Sequence, residues 1–188
     1  MSHSTSASRP EGFTLIELLV AVAIVAILAA LAAPSFTSFF AKKRVEGLVS
    51  ELVTDLQLAR SESVQRNTIV QMTLGANCYV IHALSGTATT ASTNTSCTQT
   101  GSSTIGSDET QIKTAQITSG SPASFAPSTG TIFFDPVRGM ATVSSGTGSI
   151  TATSSIGSWA LRAVIPANGR VTTCSPTGIG NVAGFPTC

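Results

Sequence analysis

Residues 12–34 read GFTLIELLVAVAIVAILAALAAP, and this stretch decides the N-terminal architecture. A short polar leader ends at Gly12. An apolar segment opens at Phe13, carries one carboxylate at Glu17, runs without charge over residues 18–33, and is followed by Pro34. As a helix, residues 13–33 would span roughly 31 Å at about 1.5 Å per residue, close to the thickness of a bilayer core. A carboxylate near one end of such a helix costs about 2.5–3.5 kcal/mol in lipid, so Glu17 needs a role or a partner. An ordinary secretory signal peptide is the competing reading, with residues 18–29 as its apolar region and Ala30-Leu31-Ala32 as an A-x-A cleavage site. Against it, the leader's one side-chain cation is Arg9, which Glu11 offsets.

Working outward, the chain has 188 residues, room for one domain beyond the anchor. Its net charge is +1, and beyond residue 41 nine Lys and Arg stand against seven Asp and Glu, a balance that demands no nucleic-acid partner. The charged fraction is 10%, yet the apolar fraction is 42%, enough for a folded module whose solubility rests on Ser and Thr hydroxyls. The four cysteines, Cys78, Cys97, Cys174 and Cys188, all follow the anchor. None forms a C-x-x-C pair, which speaks against zinc. An even count in an exported domain suggests two disulfides. Three connectivities are open. Proximity favours Cys78 with Cys97 and Cys174 with Cys188, each worth about 3 kcal/mol in the chain-entropy picture. No metal or cofactor is expected.

From residue 41 the helical pattern becomes amphipathic. Val45, Leu48, Leu52, Leu56 and Ala59 form one stripe with Val49 and Val53 beside it, and Glu46, Ser50, Glu51, Thr54 and Asp55 are expected on a solvated face. Glu62 and Arg66 are an i,i+4 pair in the favourable order. One helix is expected over 13–67, about 80 Å long at its helical rise, with a kink at Pro34, whose ring removes a hydrogen bond and clashes with the preceding turn. Strand patterns follow at 68–74, 78–84, more weakly at 112–118, then at 131–134, 140–143, 159–165 and 170–174. Residues 85–106 read as a Ser/Thr-rich loop, 144–149 as a turn, and 175–188 as loop. Trp159 and Phe133 are read as core. These patterns make the chain α+β, a long N-terminal helix followed by short strands. It divides into a leader (1–12), the helix (13–67, with 13–33 in the membrane or a filament core) and a β-rich domain (68–188).

The run Gly-Phe-Thr-Leu-Ile-Glu before an apolar stretch closely resembles the type IV prepilin signature. Leu58 to Asn67 (LARSESVQRN), the strand TIVQMTL, and the echoes FFDPVRGMA and RAVIPANGRVTTC resemble the FimT/FimU/GspH branch of minor pilins and pseudopilins. The resemblance implies a pilin-like fold, the long N-terminal helix packed on an antiparallel β-sheet domain, and a prepilin peptidase that cuts after Gly12 and N-methylates Phe13. It also implies that Glu17 guides docking among other major and minor pilins. Cleavage would leave a positive amine four residues before Glu17, on the same helical face. The implied location is the inner membrane, single-pass, with the C-terminal domain periplasmic, and then a pilus. One observation opposes that orientation: Lys42, Lys43 and Arg44 lie just past the apolar run, and the positive-inside rule would hold them in the cytoplasm.

The function implied is a minor pilin that helps initiate or cap a type IV pilus, with a type II secretion pseudopilin as the alternative. A third reading is a DNA-binding minor pilin for natural transformation, since some FimT proteins use a C-terminal Gly-Arg-x-Arg motif. Here the matching positions are Gly169, Arg170, Val171 and Thr172, so the second arginine is missing, and Arg170 and Arg162 are the candidate contacts. Isolated phosphate contacts add little. No enzyme is expected. His82 sits in a strand pattern and reads as a surface residue, no G-x-S-x-G, H-E-x-x-H or phosphate-loop motif occurs, and Gly178, Gly180 and Gly184 are off-spacing for a nucleotide loop. Asn94-Thr95-Ser96 matches a glycosylation sequon of the kind common in Ser/Thr-rich chains.

Overall fold

A computed structural model of the chain describes residues 12–75, 77–84, 96–97, 103–104, 109–118, 120–127, 130–144, 147–178 and 180–188. Among these are one helix, α1 (Leu15–Arg66), and the strands β1 (Val70–Leu74), β2 (Cys78–Leu84), β3 (Ser96–Cys97), β4 (Ser103–Thr104) and β5 (Glu109–Gln116). Then come β6 (Ala123–Pro127), β7 (Thr131–Phe134), β8 (Ala141–Val143), β9 (Ser149–Ser154), β10 (Ala160–Val164) and β11 (Thr172–Cys174). The chain forms two compact units, Met1–Thr37 and Ser38–Cys188. The first is the apolar start of α1. The second holds the rest of α1 and every strand.

Local chemistry sets both ends of α1. Thr14 caps the start, its Oγ1 accepting from the Glu17 N–H at 3.3 Å. The far end closes on Asn67, in the left-handed region at φ 53°. There Asn67 N–H donates to the Val64 carbonyl and Thr68 N–H to the Ser63 carbonyl, the pattern of a Schellman stop. As expected, α1 is one helix that continues through Pro34, and Thr37 Oγ1 donates to the Pro34 carbonyl at 2.9 Å.

In the second unit the helical stripe is buried as its spacing requires. Val45, Val49, Leu52, Leu56 and Ala59 are inside, with Leu48 and Val53 packed at the margin. They meet two antiparallel sheets, ordered β5-β2-β1-β7-β8 and β11-β10-β9-β6, across one apolar core. The first sheet supplies Val70, Met72, Leu74, Tyr79, Ile81, Ile132 and Phe134, and the second supplies Phe125, Ile150, Ala152, Leu161 and Ala163. Period-two alternation explains the choice: β7 sends Ile132 and Phe134 inward, which leaves Phe133, expected in the core, half-buried on the other face.

Several expectations are corrected. Residue 149, expected to close a turn, opens β9, and neither β6 nor β9 is among the expected strands. Both are short and rich in Ala, Ser and Thr, so hydropathy does not mark them. The supposed loop 85–106 contains the two-stranded pair β3-β4, with β3 lying against β1 and β2. The weak strand at 112–118 is β5, displaced to Glu109–Gln116, with a bulge opposite Ile81 and His82 that absorbs one residue. The strand at 131–134 and its hairpin partner stand as expected. Asp135 shapes their turn: its carboxylate accepts from the Val137 and Arg138 amides at 2.7 and 3.0 Å, and these bonds, first the one from Arg138, hold its pKa below the usual carboxylate value.

Candidate functional site

The expected processing junction, Gly12-Phe13, lies open. Gly12 has no atom within 4 Å of where a Cβ would stand, and Phe13 is 85% exposed. Thr14 and Glu17 form the first turn of α1, a T-x-x-E spacing in which the Thr14 hydroxyl holds the Glu17 amide. Glu17 also lies in the first turn, where a negative charge complements the helix dipole. The cap gives Thr14 a role of its own at the start of α1, through the Glu17 backbone amide. Beyond it an 18-residue window of α1 has a mean hydropathy of 2.9 and none of it is buried within the protein. Large side chains such as Leu15, Ile16, Val25, Leu28 and Leu31 are all more than half exposed. Such a surface needs a bilayer or other helices around it.

Cys174 and Cys188 form a disulfide with Cα atoms 5.0 Å apart. It ties down a tail that is also hydrogen-bonded, with Ser175 N–H donating to the Pro186 carbonyl and Cys188 N–H to the Ser175 carbonyl. Cys78 is disulfide-bonded as well. The side chain of Cys97, its expected partner, lies outside the described residues, as do Asn94 and Thr95 of the sequon.

The two candidate DNA contacts have separate settings. Arg162, on β10, donates from Nε to Thr151 Oγ1 at 3.2 Å. Arg170 is exposed on the turn after β10, where its own amide donates to Asn168 Oδ1. Gly169 before it has a packing duty. It is buried at φ 72°, and a Cβ there would lie 2.6 Å from the Gly139 carbonyl oxygen and 3.4 Å from Arg60 Nε.

Two polar clusters were missed. Asp55, expected on a solvated face, is 3% exposed. It accepts from Tyr79 Oη at 2.6 Å and from Lys113 Nζ at 2.7 Å, joining α1 to β2 and β5. Burial, then the hydrogen bond and charge of Asp55, push the Tyr79 phenol well above its ordinary value. The missed signal was positional: Asp55 directly precedes Leu56 and sits three residues after Leu52, so it borders the stripe. His82, expected at the surface, is fully buried on the second face of the first sheet, with Nε2 3.4 Å from Glu109 Oε2. Burial pushes its imidazole pKa down while Glu109 pulls it up, and the net shift is downward. Every residue of β2 is buried, so this strand is covered on both faces and alternation could not reveal which way His82 points.

An exposed apolar helix start that continues into a helix packed on an antiparallel β domain defines a pilin-like subunit, with one candidate membrane span among the described residues. The family comparison agrees. Residues 48–177 match the family described as type II transport protein GspH, and the chain belongs to that family. Residues 8–33 match the prokaryotic N-terminal methylation motif. No curated protein and no solved structure matches the chain.

Proposed function

We propose that this pilin-like subunit is a minor pilin of a type IV pilus, a structural part and not an enzyme, which helps initiate or cap the filament. The observation that carries the reading is the helix. Its first part is apolar apart from Glu17, with an 18-residue window of which none is buried, and the same helix then becomes a core element of a β domain. A prepilin peptidase would cut between Gly12 and Phe13 and methylate Phe13. The subunit would wait in the inner membrane with Ser38–Cys188 in the periplasm, where its disulfides are stable, and then leave the bilayer for the filament. The Gly169-Arg170 turn supports the pilus branch. A pseudopilin of a type II secretion system is the second reading, favoured by the family's own description. Little in the geometry favours DNA uptake, since Arg162 is engaged with Thr151 and Arg170 sits alone in its motif.

Mass spectrometry of the mature protein tests the shared part: an N-methylated Phe13 terminus is expected, and a terminus at Ala33 or Pro34 would mean an ordinary signal peptide. Deleting the gene separates the two machines. Loss of surface pili and twitching is expected, whereas normal pili with failed release of secreted enzymes would transfer the protein to secretion.

A further inference from the structure

The foot of the second unit carries a surface that a water-soluble domain would not keep. Phe39 and Phe40 are 53% and 65% exposed, stacked edge to face with centroids 5.9 Å apart. Lys43 Nζ lies 5.9 Å from the Phe39 ring. From the β9–β10 turn, Trp159 leans onto the same part of α1, its Nε1 donating to Ser38 Oγ at 3.3 Å with Lys42 Nζ 5.5 Å above its ring. Ile156, on that turn, is 43% exposed. The turn is shaped for this arrangement: a Cβ on Gly157, at φ 73°, would stand 2.5 Å from Trp159 Nε1.

We infer that Phe39, Phe40, Lys42, Lys43 and Arg44, with Trp159 beside them, form a platform that binds the headgroup layer of anionic phospholipids while the subunit is still in the membrane. The inference rests on residues 13–33 spanning the bilayer. Phe39 follows Ala33 by six residues, so the chain holds it within about 20 Å of the end of the span at full extension and about 9 Å on a helix. The headgroup layer is several Å deep on each side of the hydrocarbon core. Aromatic rings concentrate at that depth, and Lys and Arg stems lie along apolar surface while their charges reach phosphate. The charge balance is right for an anionic partner. Three cations stand with two acids: Glu46, which holds Lys43 at 2.6 Å and Lys42 at 4.0 Å, and Glu51, which also lies 3.9 Å from Lys113, while Arg44 is exposed. Lys43 and Arg44 also border a cleft of about 350 Å³ with Gly47, Glu51, Gln116 and Thr118, where two cations outnumber one acid. This gives a use for cations that the positive-inside rule would place on the other side of the membrane. They are held by the folded domain and face lipid phosphate.

Trp159 is the single tryptophan of the chain, so its fluorescence reports on this surface alone. Full-length protein is reconstituted in vesicles of phosphatidylcholine, with or without phosphatidylglycerol, that carry a headgroup-level spin label. Flotation on a density gradient reads the span. Quenching of Trp159 reads the platform. Co-flotation with both lipids is expected, with quenching at least twofold stronger in phosphatidylglycerol and reduced by added salt. Lys43→Gln/Arg44→Gln should return quenching to the phosphatidylcholine level without changing flotation. Arg44→Gln alone, at an exposed site, should do so in part and guards against a folding defect. Equal quenching in both lipids, or none, overturns the platform and leaves the span intact. Failure to float with either lipid overturns the anchor and the platform with it.

Discussion

At the residue scale, the two polar sites that matter most are one that burial makes costly and one that packing makes rigid. Asp55 is an acid in the core, and an uncompensated charge there would be expensive. Tyr79 and Lys113 compensate it from two strands. Tyr79→Phe removes the shorter bond and should lower stability by about 1.5–3 kcal/mol in urea unfolding, the range for a hydrogen bond to a charged group. The raised Tyr79 pKa gives the pH dependence a definite sign. The folded state keeps the phenol proton and the unfolded chain releases it above about pH 10, so stability is complete below that pH and falls as pH rises past it. The loss should be about 1.4 kcal/mol per pH unit steeper in the native sequence than in Tyr79→Phe. Tyr79 is the chain's single tyrosine, so phenolate absorbance should appear together with unfolding and not before it. Gly169 and Arg170 make the opposite pair. Gly169→Ala must fit a Cβ against the Gly139 carbonyl at a left-handed φ, and a loss of about 1–3 kcal/mol is expected. Arg170→Ala, at an exposed turn, should stay within about 0.5 kcal/mol. It should also leave duplex-DNA retention unchanged; a steep, salt-sensitive loss of tight binding would establish the receptor reading instead.

At the scale of elements, the second part of α1 is the beam on which both sheets rest. Leu52 and Leu56 are fully buried one turn apart and touch the core formed by both sheets. Leu52→Ala should therefore cost about 2–5 kcal/mol, measured by denaturant unfolding of the full chain in detergent. A cost near zero would mean that the helix does not organise the domain. The same stripe shows why some of the fold could be read directly and some could not. A 3-4-4-3 spacing over residues 45–59 admits one helical face, and strands with strong alternation, such as β7, or tight bounding turns, such as β2, were placed to the residue. β6 and β9 escaped because ASFAP and SITATS each carry a single large apolar residue, Phe125 and Ile150, among small or hydroxylated ones, so alternation does not show and their place is set by pairing with each other and with β10. Asp55 and His82 escaped for a related reason. Polar type predicts exposure, but each is buried beside a partner distant in sequence, Lys113 and Glu109 respectively, and those partnerships arise only once β5 pairs with β2. The N-terminal methylation motif was legible because its residues are local: the glycine, the acid and the apolar run follow one another in the chain.

At the scale of the whole molecule, the question is what the one acid at the start of the apolar helix does. A carboxylate at Glu17 is a cost in lipid, and the cap bond to Thr14 engages the Glu17 backbone amide, not its carboxylate. If Glu17 serves docking, its charge must matter; if it serves the cap, the Thr14 hydroxyl must matter as well. Three variants separate these roles. Glu17→Ala removes both charge and side-chain oxygens, Glu17→Gln keeps the shape without the charge, and Thr14→Ala removes the cap acceptor at a usual cost of about 1 kcal/mol. All three should still reach the membrane, because none adds a charge to residues 13–33. Under the docking role, Glu17→Ala and Glu17→Gln should both be missing from sheared filaments while Thr14→Ala is incorporated. That pattern fits a carboxylate paired with a positive N-terminus of its own chain or of a neighbour, four residues away on one helical face. Normal incorporation of Glu17→Gln alongside loss of Thr14→Ala would reverse the assignment, making Glu17 part of the helix start and leaving subunit docking to the apolar surface alone.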